Sequence, residues 1–133
     1  MIHPYNDARV IAGQGTAAKE LMEDVPGLDM VMTPVGGGGL LSGTALSVKA
    51  MSPDTRVIAA EPSGADDAYR SIKAGHILPS ENTTTIADGL LTSLGDLTFP
   101  IIRELVDEII LVDESAIVSA MHLVWELMKV VIE

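Results

Sequence analysis

Apolar positions along the chain change their period repeatedly, and each change marks an element. From Asp7 onward, Val10, Ile11, Ala17, Ala18, Leu21 and Met22 recur at helical spacing, with Asp7 placed as the N-cap and Pro26-Gly27 as the stop. Gly13-Gln14-Gly15 weakens that helix from inside, since glycine is a poor helix former. A short apolar run over 30–35 reads as a buried strand, followed by a helix over 40–51 that Ser52-Pro53-Asp54 closes. A second buried strand covers 56–61, and a short helix over 66–74 ends at Gly75. The polar stretch 78–85 has no periodicity and is the best candidate for a mobile surface loop. A helix over 100–106 and a strand over 108–112 follow, and Asp113-Glu114-Ser115 opens a long helix running toward Val131.

Strand and helix alternate through this series, which is the pattern of an α/β fold: three layers, with a mostly parallel sheet covered by helices on both faces. The 133 residues, 47% of them hydrophobic, suffice for one domain with a single core. Aromatic residues are only 3%, so that core is built from aliphatic side chains and methionine. The abrupt start at Met1-Ile2-His3-Pro4 and the stop inside the apolar stretch ending at Glu133 lead us to expect a single α/β domain over 1–133 that is incomplete.

Between the first strand and its helix lies Thr33-Pro34-Val35-Gly36-Gly37-Gly38-Gly39-Leu40. Glycines lack a Cβ, so consecutive ones can turn their N–H groups toward one point and let the backbone approach a ligand closely. A helix starting at Leu40 would aim its free N–H groups and positive dipole end at the same place, which fits a phosphate. The plain alternative is a flexible solvated turn, but linkers of that kind sit among polar residues and this run has apolar flanks on both sides. A nicotinamide-dinucleotide Rossmann site is a second alternative: Gly37-Gly38-Gly39 with Gly43 gives a GxGxxxG spacing, and Glu61 lies about 20 residues on, where a ribose-binding acid belongs. Against it, Ser42 stands at the usual third glycine. No Gly-Lys-Ser/Thr follows the run, which excludes a Walker P-loop.

Charge and composition narrow the partners. Eight basic and nineteen acidic residues give a net charge of −11, which disfavours nucleic acid and anionic membrane, so any bound anion must be held by local geometry. The chain has no cysteine, hence no disulfide, thiolate metal site or thiol nucleophile, and a cytoplasmic setting is expected. No apolar run reaches the roughly 18 residues of a membrane span. His3, His76 and His122 have no acid or nucleophile at informative spacing and read as surface or packing residues. The neighbours Val118, Met121 and Trp125 around His122 read as core.

A second constellation is Glu61, Ala65 and Asp67. A strand-end carboxylate, a backbone carbonyl in the turn Pro62-Ser63-Gly64-Ala65 and a carboxylate at the next helix start can converge on one hard cation such as Mg²⁺, Ca²⁺ or Mn²⁺. On spacing alone, a strand-end glutamate with Asp66 or Asp67 capping a helix is the commoner explanation.

His3-Pro4-Tyr5, Val10-Ile11-Ala12-Gly13-Gln14-Gly15-Thr16, Pro34-Val35-Gly36-Gly37-Gly38-Gly39-Leu40, Ala60-Glu61-Pro62 and Ile86-Ala87-Asp88-Gly89 occur together and in this order. The combination closely resembles the serine racemase and threonine/serine dehydratase family of fold-type-II pyridoxal-phosphate enzymes, over essentially all 133 residues. The resemblance implies that Gly36, Gly37, Gly38 and Gly39 bind the phosphate of pyridoxal 5'-phosphate, that Gly89 lies beside the cofactor ring and that Glu133 places its carboxylate near the cofactor. It also implies that Glu61, Ala65 and Asp67 are the ligands of a divalent metal, Mg²⁺ or else Ca²⁺ or Mn²⁺. Gln14 and Thr16 match family residues too, with packing as good an explanation as a ligand role.

The implied activity is β-elimination of L-serine or L-threonine to a 2-oxo acid and ammonia, or racemisation of serine, by a cytoplasmic homodimer acting on a small amino acid. In the family the lysine that holds the cofactor lies in a Ser-x-Lys-x-Arg-Gly-Ala segment, and nothing here matches it. Lys19, Lys49, Lys73 and Lys129 all fall in helical contexts, so no catalytic residue is assigned in this chain. A cofactor- or metal-binding module without turnover therefore remains the alternative to an enzyme segment.

Overall fold

The computed structural model describes residues 2–132. Three parallel strands lie in the order β1 (Met30–Pro34), β2 (Arg56–Pro62), β3 (Glu108–Val112), with Val31 opposite Val57 and Ala60 opposite Ile110. Five helices accompany them: α1 (Ala8–Asp24), α2 (Gly39–Met51), α3 (Asp67–Ala74), α4 (Thr98–Leu105) and α5 (Glu114–Met128). No helix among the described residues is long and apolar enough to cross a membrane.

The α/β expectation holds, with helices on both faces of the sheet. Val31, Val35, Val57 and Ala59 point to one side, where they join Ala18 and Met22 of α1, Leu41, Ala45 and Val48 of α2, Ala68 of α3 and Phe99 and Ile102 of α4 in the core. Pro34, Ala60, Pro62 and Val112 point to the other side, where they share a cavity of about 240 Å³ with Ala116, Ile117 and Ala120 of α5. The core is aliphatic, as the composition requires.

The N-caps follow the sequence. Asp7 accepts from Arg9 N–H at 2.9 Å at the start of α1, and Asp113 accepts from Ala116 N–H at 2.8 Å at the start of α5. Helix α1 runs through Gly13-Gln14-Gly15 without a break because tertiary packing outweighs the propensity deficit. A Cβ at Gly15 would lie 2.8 Å from Ser47 Oγ and 2.9 Å from Gly43 O, so Gly15 and Gly43 are what let α1 and α2 approach. Gly43 thus has a packing role that needs no nucleotide.

Several expectations are corrected. Strand β1 is buried on one face only: Met30 and Met32 are 45% and 51% exposed while Val31 is buried, an alternation that a run of apolar residues conceals. Helix α4 begins at Thr98 rather than Pro100, with the proline tolerated in the first turn, where no intrahelical N–H bond is needed. Helix α5 ends at Met128, because Lys129 takes a left-handed conformation (φ 59°) and lies outside the helix. No α5 residue among those described is buried, and Val118 and Trp125 are 45% and 58% exposed, so the residues around His122 are not core. The segment 78–85 lies at the surface but is tethered: Leu78 N–H donates to Ser71 Oγ, Ser80 N–H to Ser93 Oγ and Thr84 N–H to Gly64 O.

Candidate functional site

All three strands end toward the same edge, the position at which parallel α/β sheets present ligands. The glycine run leaves β1 there. Gly36, Gly37, Gly38 and Gly39 are all buried, and Gly38 has φ +89°, a left-handed conformation that suits glycine and starts α2. The run is therefore a packed corner rather than a flexible linker.

Its packing explains the lack of side chains. The Tyr5 ring lies against Gly37 so closely that a Cβ there would enter the ring, and a Cβ at Gly38 would sit 2.7 Å from Ile102 Cδ1 and 2.9 Å from Thr98 Cβ. Two carbonyls of the run are engaged: Gly37 O accepts from Thr98 Oγ1 at 2.8 Å, and Gly38 O accepts from Ser42 N–H at 2.9 Å. Among the described residues, none of the four amides from Gly36 to Gly39 donates a hydrogen bond to the protein. A buried loop with free N–H groups at the start of a helix suits an anion.

These residues line a pocket of about 360 Å³ together with Pro4, Tyr5, Gln14, Leu90, Thr92 and Gly89. Gly89 belongs to the 3-10 turn Asp88–Leu90, whose approach to Ile86 is fixed by Glu114: its Oε2 accepts from Ile86 N–H at 2.9 Å. The structure thus brings Gly89 and Gln14 into one pocket with the glycine run. Thr16 is elsewhere, donating to Gly13 O at 2.8 Å within α1. Thr92 was not singled out by the sequence. Its hydroxyl is buried without a partner on the pocket wall, a contact that a Thr in a polar loop does not announce. Glu133 lies outside the described residues.

No lysine among the described residues lines this pocket. Lys19 pairs with Glu23, Lys49 with Asp107, and Lys73 donates to Tyr69 Oη.

The acidic constellation sits at the end of β2. Glu61 is 1% exposed, and its two oxygens accept from Ala68 N–H at 2.7 Å and Tyr69 N–H at 2.9 Å. Glu61 therefore caps α3. Asp66, in the N-cap position, makes no capping bond and holds Arg70 instead, with Nε 2.7 Å from Oδ1. Because Tyr69 N–H goes to Glu61, the carbonyl of Ala65, its ordinary helical acceptor, receives no hydrogen bond among the described residues. Ala65 is itself buried, and Asp67, also 1% exposed, has Oδ2 buried without a partner.

Burial dominates the protonation of both acids. It pushes Glu61 up to about 7 against the pull of the two amides, and Asp67 up to about 6. Two desolvated carboxylates and an unbonded carbonyl at the end of β2 offer hard oxygens, the donor type that suits a divalent cation. Among the described residues no cluster of three or more acidic or histidine side chains is arranged to hold a metal, so the candidate depends on the backbone oxygen as well.

A family model described as "Pyridoxal-phosphate dependent enzyme" matches residues 1–133. Serine racemase of Dictyostelium discoideum is 58% identical over 135 residues, covering 100% of this chain and 42% of the relative. The beta-hydroxyaspartate dehydratase of Paracoccus denitrificans is 55% identical over 132 residues, covering 99% and 42%. The structure of the processed form of threonine deaminase isoform 2 from Solanum lycopersicum superposes with a TM-score of 0.96 at 36% identity, over 99% of this chain and 37% of that one. The chain spans about two-fifths of the length of the curated relatives it matches.

Proposed function

The chain belongs to the family of pyridoxal-phosphate dependent enzymes, and from that premise we propose that it supplies the phosphate grip and a divalent-cation site of a serine/threonine dehydratase or serine racemase. The observation that carries this reading is the set of four free amides at Gly36, Gly37, Gly38 and Gly39, buried at a helix N-terminus and opening on one pocket. The names of the relatives, a serine racemase and a hydroxyaspartate dehydratase, support a small hydroxylated or acidic amino acid as substrate.

When bound, the cofactor supplies an electron sink for bond breaking at the substrate Cα. The chain's own residues do the holding. The amides of the glycine run bind the phosphate dianion, and the helix dipole of α2 adds to them. Tyr5 and Leu90 line the phosphate pocket, while Gly89, with no Cβ, leaves room for a flat ring beside the turn. Thr92 offers its buried hydroxyl to the same space. Glu133 is assigned a place near the cofactor by family resemblance alone. The net reaction in the complete enzyme is loss of the β-hydroxyl as water and hydrolysis to a 2-oxo acid and ammonia, or inversion at Cα. The proton carrier at Cα is not assigned to this chain. The complete enzyme is proposed to act as a cytoplasmic homodimer.

The cation would take Glu61, Asp67 and the Ala65 carbonyl, with Mg²⁺, Ca²⁺ or Mn²⁺ as the matching ions. Its chemistry there is structural: it neutralises two buried carboxylates and fixes the turn 62–65 at the end of β2, one strand away from the phosphate loop.

The test is to titrate the intact protein with pyridoxal 5'-phosphate and then supply L-serine or L-threonine. Saturable binding followed by release of 2-oxo acid is the outcome expected of a dehydratase, and appearance of D-serine that of a racemase. Binding without turnover would support a module that holds the cofactor only. Saturation by a nicotinamide dinucleotide and not by pyridoxal phosphate would overturn the reading.

A further inference from the structure

The phosphate loop is held from behind by a residue distant in sequence. Thr98, the first residue of α4, is completely buried beneath the glycine run. Its Oγ1 accepts from Gly95 N–H at 2.9 Å and donates to Gly37 O at 2.8 Å, shorter than its alternative contact with Gly95 O at 3.2 Å. The hydroxyl has one proton, and the Gly37 carbonyl is the nearer acceptor for it.

That bond fixes more than a carbonyl. In a trans peptide the C=O of one residue and the N–H of the next point in opposite directions across a rigid plane. Anchoring Gly37 O toward α4 therefore turns Gly38 N–H away from α4, to the side on which Gly37 and Gly38 line the pocket. Glycine at φ +89° offers little resistance of its own to rotation of this peptide, so its orientation needs an external anchor. Thr98 Cβ and Ile102 Cδ1 fill the space behind Gly38 and complete the support.

We propose that Thr98 is a positioning residue which, by holding Gly37 O, aims the Gly38 amide at the cofactor phosphate. This rests on the reading of the glycine run as the phosphate site, and it adds a residue on another helix whose role is orientation rather than contact.

The experiment compares pyridoxal 5'-phosphate with pyridoxal as ligands of the intact protein and of two variants. Thr98→Val keeps the shape and removes the hydroxyl, while Thr98→Ser keeps the hydroxyl. The expected result is that Thr98→Val weakens pyridoxal phosphate by about tenfold, the scale of one charge-assisted hydrogen bond, and leaves pyridoxal unchanged, with Thr98→Ser restoring the preference. A general loss of packing would weaken both ligands together and would overturn the proposal, as would an unchanged ratio. If Thr98→Val does not fold, the wild-type amide spectrum decides: on adding inorganic phosphate the Gly38 resonance shifts at least as far as its three glycine neighbours, and a silent Gly38 contradicts the inference. A wild type with no preference for the phosphorylated ligand would instead remove the phosphate reading itself, and Thr98 with it.

Discussion

Tyr5 lies with its ring against the backbone of Gly37, close enough that no Cβ fits between them. The contact joins the segment before α1 to the glycine run after β1, and it makes glycine obligatory at 37 for a reason separate from ligand binding. Gly37→Ala is expected to destabilise the protein by about 1–3 kcal/mol through overpacking. In a Tyr5→Ala background the same substitution should cost less than about 1 kcal/mol, since the obstructing atoms are gone. Urea midpoints of the four proteins in the cycle check this, and equal penalties in both backgrounds would show that the ring is not what excludes the methyl.

The buried acids at the end of β2 make stability depend on pH in an unusual direction. Glu61 and Asp67 have ordinary values of 4.5 and 3.8 and folded values of about 7 and about 6, raised by burial. Between those limits the folded state binds more protons than the unfolded chain, so their contribution is fully present below the ordinary values and is lost as pH rises through the folded ones. Metal-free protein should lose stability between about pH 4 and 7, whereas saturating Mg²⁺, which binds the ionised pair, should flatten or reverse that slope. Asp67→Asn should abolish the Mg²⁺ effect without lowering metal-free stability at high pH, because it removes a desolvated charge. Denaturation midpoints with chelator and with Mg²⁺ across this range are the measurement. A slope that Mg²⁺ leaves untouched would remove the cation from the site.

Gly43 separates packing from ligand binding. It meets Ile11 O and Gly15 N of α1 at a distance no Cβ tolerates, and both partners are backbone atoms that cannot rotate away. Gly43→Ala should lower stability by at least about 1–3 kcal/mol and leave the ratio of pyridoxal phosphate to pyridoxal affinity as it is in wild type. A selective loss of phosphate affinity would return Gly43 to the ligand site, as the dinucleotide reading of the glycine spacing requires.

The order of elements and the glycine corner between β1 and α2 were legible in the sequence because they depend on local signals. Asp7 and Asp113 cap helices where short polar side chains precede apolar periodicity, and four glycines stand between a strand and a helix. Contacts that join distant segments left no such signal. Thr98 reaches Gly37 across 61 positions, and nothing about a threonine before Phe99-Pro100 marks it as the support of a loop. By sequence Glu61 is a candidate ribose-binding acid, metal ligand or plain strand end, yet it caps α3 from seven and eight positions away, a role local rules assign to Asp66. The exposure of Met30, Met32 and the α5 residues was likewise hidden, since an apolar run states that burial is favourable and not which layer provides it.

We propose above all that the amides of Gly36, Gly37, Gly38 and Gly39 bind the phosphate of pyridoxal 5'-phosphate. Amide proton–nitrogen spectra of the intact protein, recorded as the cofactor is added, test it most directly. The account predicts that these four resonances and that of Leu40 move furthest, downfield in the proton dimension as hydrogen bonds to the dianion form. Shifts centred on other residues, with the glycine amides unmoved at saturation, would contradict it.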